Sequence, residues 1–176
     1  MSRVADMPPT RMTRYKLQQD AREKCGRAAR EVLHRFLTEE LAAPIDIELL
    51  ATNLGFQIVP LRSPADGFSG LVIPRHRLIG VNANHHVHRQ RFTIAHELSH
   101  FILRHIPEND CTMREIVIQD SEADLCASEL LMPRQLLEPY ISGPVRVSVK
   151  SLAKLFNVSE EAMAHKVREI EKQFLD

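Results

Sequence analysis

Between residues 13 and 38, Tyr15, Leu17, Ala21, Ala28, Val32, Leu33, Phe36 and Leu37 recur at roughly the helical period, with only Gly26 interrupting. The spacing predicts a long amphipathic helix. A shorter helix is predicted over 46–54, with Asp46 as N-cap, Leu49, Leu50 and Leu54 facing a core, and Gly55 as the stop. The period then shortens. Residues 56–61 have strand composition, 63–67 are turn residues, and the apolar runs 69–73 and 78–82 flank Pro74-Arg75-His76-Arg77. This predicts a hairpin with a four-residue loop, and hence a small antiparallel sheet.

Helical spacing returns at 88–105, where Phe92, Ile94, Ala95, Leu98, Phe101, Ile102 and Leu103 give an apolar surface broad enough for a helix enclosed by the fold. Residues 106–116 read as a loop, followed by a helix over 120–131 that Met132-Pro133 ends. A short helix is expected at 134–140. After Ser142-Gly143-Pro144, two more are expected at 148–156 and 159–173, the last capped by Ser159 with Glu160 and Glu161 in its first turn. The class is α+β: a small antiparallel sheet packed on helices. Residues 1–12 are expected to form a flexible arm and 13–176 a single domain, whose end, 146–176, is patterned like a helix-turn-helix.

Composition narrows the function classes. The 176 residues carry 23 basic and 23 acidic side chains, so no net field draws the chain toward nucleic acid or anionic lipid. The three cysteines, Cys25, Cys111 and Cys126, are far apart and odd in number, which points to a reducing compartment and unpaired thiols. No apolar run approaches the ~20 residues of a membrane helix. The first ten residues also lack the apolar core of a secretory signal. A cytoplasmic location is expected.

The chemistry concentrates in His96-Glu97-Leu98-Ser99-His100, inside the helix predicted over 88–105. Histidines four apart on a helix lie ~40° apart in projection and ~6 Å apart along the axis. Both imidazoles can converge on one Zn2+, and Glu97 between them can act as general base toward a water. His85, His86 and His88 lack a well-spaced acidic partner and read as a solvated approach to the helix.

Zinc then needs a third protein ligand. Downstream candidates are His105, Asp110, Glu115, Asp120, Glu122, Asp124 and Glu129. His105, five residues after His100, would point elsewhere on a continuous helix; Asp110 and Glu115 fall in the expected loop. On the 120–131 helix, Ala123, Cys126, Ala127, Leu130 and Leu131 form an apolar face whose small residues permit close approach. Glu122 borders that face and is the preferred ligand. Glu129 lies on nearly the same side two turns on and competes on geometry alone, whereas Asp124 points away from both.

The run 91–103 followed by 122–133, Glu-Ala-Asp-Leu-Cys-Ala-Ser-Glu-Leu-Leu-Met-Pro, resembles the ImmA/IrrE family of zinc metallopeptidases. Ser69-Gly70, Val81-Asn82 and the segment 152–159 extend the likeness over about 45–170. Ser99 stands where the family mostly has glycine, and Cys126 where an aromatic is common. The resemblance implies a zincin-like domain with His96, His100 and Glu122 as zinc ligands and Glu97 as general base. It also implies site-specific cleavage of an XRE-type helix-turn-helix repressor, relieving transcriptional repression in a stress response or a mobile element.

Tyr140, His105 and the arginines near 89–91 are candidates to stabilise the oxyanion. Two other classes compete with the peptidase: a zinc-containing module that sequesters a regulator without cutting it, and a DNA-binding regulator using the C-terminal helices. Glu97 favours the enzyme, since a binding module has no use for that carboxylate. The second C-terminal helix carries Lys166, Arg168 and Lys172 among Glu160, Glu161, Glu169 and Glu171, a poor surface for tracking phosphates.

Overall fold

The computed structural model describes residues 11–36, 41–62, 67–143 and 147–174. The first helix, α1, runs Arg11–Phe36 and buries Cys25, Ala29 and Leu33. Arg11 and Met12 thus belong to a helix, while the rest of the expected arm lies outside the described residues, as do 37–38 of the predicted first helix and 63–66 of the predicted turn. Helix α2, Ile47–Asn53, is capped as expected: the Asp46 carboxylate accepts from the Leu49 N–H, and Gly55 takes φ 82° beyond its end.

Three strands follow, β1 (Gln57–Leu61), β2 (Gly70–Ile73) and β3 (Leu78–Asn82). The hairpin forms as predicted, with Ile73 paired to Leu78 and the loop built from a 3-10 turn at Pro74–His76 and Arg77 in the left-handed region. The sheet is nevertheless not all antiparallel. Its order is β1-β3-β2, and β1 pairs parallel with β3. The reason is burial: Ile79, Gly80, Val81 and Asn82 are enclosed, so β3 takes the centre and needs partners on both edges. β2 is left as an edge strand. It lies close to the next helix, since a Cβ on Gly70 would meet the Thr93 methyl and the Gly80 carbonyl.

That helix, α3 (Val87–Ile102), packs against α4 (Met113–Leu131) and both pack on α1. Ala95, Leu98 and Ser99 of α3 and Ala123, Cys126 and Ala127 of α4 are fully buried. Ser99 is tolerated because its hydroxyl donates back to the Ala95 carbonyl at 2.7 Å. Helix α4 is longer than its apolar pattern suggests. A capping box between Thr112 and Glu115 starts it in the predicted loop, so 113–119 is a largely exposed first stretch with little periodicity to reveal it.

Helices α5 (Arg134–Ser142), α6 (Val149–Phe156) and α7 (Glu160–Gln173) complete the chain. Ser148 and Ser159 cap α6 and α7, and Asn157 turns the chain between them in the left-handed region. The architecture is α+β with seven α-helices among the described residues, none of them long and apolar enough to cross a membrane.

Candidate metal centre

Helix α3 presents His96, Glu97 and His100 to a cleft of about 630 Å³. One wall of the cleft is the edge strand, through Gly70, Leu71 and Val72; the opposite wall is α4, through Ile116, Gln119 and Asp120. The Nε2 atoms of His96 and His100 face each other at 3.0 Å. Asp120 lies 3.7 Å from His100 Nε2, and ligand atoms of His96, His100 and Asp120 all fall within 4.8 Å of one another.

The surroundings prepare these nitrogens for a cation. His96 Nδ1 lies 2.8 Å from the Asp124 carboxylate, which accepts only, so Nδ1 carries a proton and Nε2 is the nitrogen turned toward His100. Burial opposes charge on His96, but the Asp124 hydrogen bond and the carboxylates of Asp124, Glu97 and Asp120 outweigh it and raise its pKa. His100 is pushed down to about 4 by burial, with His96 and His105 adding repulsion. It is therefore neutral at pH 7. Two imidazole nitrogens at 3.0 Å beside a carboxylate need a proton or a metal ion between them. The donor set, two imidazole nitrogens and a carboxylate oxygen, fits a zinc ion with an open position.

Residues 51–168, more than half of the chain, match the Peptidase_M78 family, IrrE N-terminal-like domain. The chain belongs to this family. A radiation response metalloprotease, IrrE, of Deinococcus deserti is 30% identical over 113 aligned residues, covering 57% of this chain and 39% of that protein. The chain thus spans well under half the length of this curated relative. A Mycobacterium tuberculosis transcriptional regulator of known structure superposes with a TM-score of 0.60 at 17% identity, covering 84% of this chain and 50% of that one. That likeness concerns the fold.

Within this Peptidase_M78 chain, the structure brings together His96, Glu97 and His100 but not Glu122. Both Glu122 oxygens accept from Lys24 Nζ of α1, at 2.9 and 2.8 Å, and Oε2 also meets His105 Nε2 at 3.2 Å. Burial alone would raise the Glu122 pKa; Lys24 and His105 reverse that and lower it. Glu129 is likewise engaged on the α1 side, with Lys166 at 2.8 Å and Arg30 at 3.7 Å. With ~100° per residue, Asp120 and Asp124 flank one side of the Ala123–Ala127 face, and Glu122 and Glu129 the other. Helix α3 takes the first flank and α1 the second.

Asp124, expected to point away, therefore reaches His96. The recoverable signal was the matching spacing: His96/His100 and Asp120/Asp124 are both four apart, as two antiparallel helices require to pair in register. His105 departs from the sequence expectation for another reason. Helix α3 ends at Ile102 and Arg104 turns left-handed (φ 58°), folding His105 back to 3.0 Å from His100 Nδ1.

Of the proposed oxyanion donors, Arg89 is bound to the Ser69 hydroxyl. Arg91 donates to the Ile45 and Asn157 carbonyls. Tyr140 sits exposed on α5. Among described residues lining the cleft, Arg104 is the one arginine.

Proposed function

We propose that this chain is a zinc-dependent endopeptidase that makes a site-specific cut in a regulatory protein, with an XRE-type helix-turn-helix repressor as its substrate. The observation that carries the reading is the convergence of His96, His100 and Asp120 in one cleft with Glu97, walled by β2, the edge strand of the sheet among the described residues. A structural histidine pair would need neither the second carboxylate nor the cleft. His96, His100 and Asp120 are assigned as ligands, with Asp120 preferred to Glu122 because the latter is committed to Lys24 and His105.

Zinc bound there polarises the scissile carbonyl and acidifies a water. The chain's own residues do the rest. Glu97 takes the proton from the attacking water and returns it to the leaving amine. Asp124 holds the ring of His96. An extended peptide pairs with the outer edge of β2, its carbonyls and amides fixed by Gly70–Ile73, with Leu71 and Ile116 receiving apolar side chains. The competing DNA-binding reading loses one of its three basic residues on α7, because Lys166 is buried against Glu129.

The test is cleavage of a candidate repressor by wild type and Glu97→Gln, each with measured zinc content. Wild type is expected to cut, and the variant to keep its zinc and lose cleavage. Cutting by a zinc-loaded Glu97→Gln would remove the general-base assignment, and binding without cutting by wild type would favour the sequestering module.

A further inference from the structure

Behind the histidine pair runs a chain of contacts that the cleavage chemistry does not use. Lys24 Nζ donates to both oxygens of Glu122, Glu122 Oε2 meets His105 Nε2 at 3.2 Å, and His105 Nδ1 meets His100 Nδ1 at 3.0 Å. The order of protons follows from donor chemistry. A carboxylate only accepts, so His105 carries its proton on Nε2. A neutral imidazole then has a lone pair on Nδ1, and the contact with His100 requires the proton of His100 on Nδ1. The side chain of His105 is only 6% exposed, so water has little room to substitute.

We propose that His105 is a positioning residue for the metal centre: anchored by the Lys24–Glu122 pair, it accepts the Nδ1–H of His100 and fixes the tautomer whose Nε2 faces the cleft with a lone pair. The opposite tautomer would aim an N–H at His96 Nε2 and close the site to a metal. Lys24 lies on α1, before the residues 51–168 that match the family, so a helix outside the matched domain contributes to the readiness of the centre. His105 does for His100 what Asp124 does for His96, through an imidazole instead of a carboxylate. The inference rests on the reading of His96 and His100 as metal ligands.

The experiment reads the metal-free full chain by long-range 1H–15N NMR of the imidazoles, and zinc affinity by competition with a chromogenic chelator. Wild-type His100 is expected as the Nδ1–H tautomer. His105→Phe should shift it toward Nε2–H and weaken zinc binding by about 10- to 100-fold, with Glu122→Ala in the same direction. His105→Gln, whose amide can accept from His100 and donate to Glu122, should recover most of the affinity. An Nε2–H tautomer in the wild type, or unchanged tautomer and affinity in His105→Phe, overturns the proposal. If His105→Phe fails to fold, equal zinc affinity in wild type and Glu122→Ala overturns it. Absence of stoichiometric zinc from folded wild type would instead sink the peptidase reading, and the tautomer measurement separates the two failures.

Discussion

The Asp124 carboxylate holds His96 Nδ1 at 2.8 Å while itself staying largely exposed, at 59% of its side-chain surface. It reaches the ring because α3 and α4 touch through alanines, Ser99 and Cys126, which keep the backbones close. Asp124→Ala should leave the fold intact and weaken zinc binding by roughly 10- to 100-fold. Asp124→Asn, which retains an accepting oxygen, should lose less. Chelator competition checks both, and equal affinity in all three proteins would show that the contact does not orient His96.

Asp120 and Glu122 make opposite predictions. Asp120→Ala removes a carboxylate from the cluster and should abolish stoichiometric zinc, a loss beyond the roughly 100-fold ceiling of an outer-shell change. Glu122→Gln weakens the Lys24 pair and should keep zinc at reduced affinity, because it reaches the histidine pair only through His105. Metal content by mass spectrometry after gel filtration distinguishes the two; the reverse pattern would return Glu122 to the ligand set.

The contrast marks what the sequence makes legible. Spacing placed His96, Glu97 and His100 on one helix, and every helix and strand that the periodicity predicts is present. That Asp120 and Asp124, and not Glu122, border the histidines was hidden because an amphipathic helix shows which face is buried, not which neighbour covers each flank. That depends on how α1, α3 and α4 cross. His105 escaped through a left-handed turn at Arg104, a residue type that gives no local warning of positive φ. The parallel pairing of β1 with β3 was hidden likewise, since strand order is a property of burial at the sheet centre, not of the hairpin beside it.

Gly70 allows β2 to lie against Thr93, so a side chain there must push the edge strand away from α3. Gly70→Val should cost about 1–3 kcal/mol of stability. It should also raise KM for an extended substrate more than it lowers kcat. Thermal unfolding and steady-state cleavage measure the two effects; unchanged KM would exclude β2 as the docking edge.

Cys25 and Cys126 are buried thiols pushed up to about 12 and about 11, in each case chiefly by desolvation. Both stay protonated at pH 8, so iodoacetamide should label the partly exposed Cys111 in the folded protein and reach the other two only in denaturant. The same shifts fix a pH dependence. The unfolded chain releases these protons near pH 9 while the folded chain holds them, so stability falls as pH rises from about 9 toward the folded values. Urea midpoints should drop between pH 8 and pH 10.5, and the drop should shrink in Cys25→Ala/Cys126→Ala. An undiminished drop would assign the alkaline loss to other groups.

Glu129 and Lys166 bind α7 to α4 through a contact of 2.8 Å with both residues 5% exposed. Removing the lysine strands a buried carboxylate, a loss of about 3–5 kcal/mol when nothing else compensates. Here the Arg134 N–H still donates to Glu129 at 3.0 Å and Arg30 stands at 3.7 Å, so Lys166→Ala should fall at the lower end of that range. Lys166→Met with Glu129→Leu removes both charges and should restore most of the urea midpoint, because an apolar pair of similar volume avoids the desolvation cost. Should the double variant remain as unstable as Lys166→Ala, the pair contributes packing at the α4–α7 junction and not merely neutralisation of a buried charge.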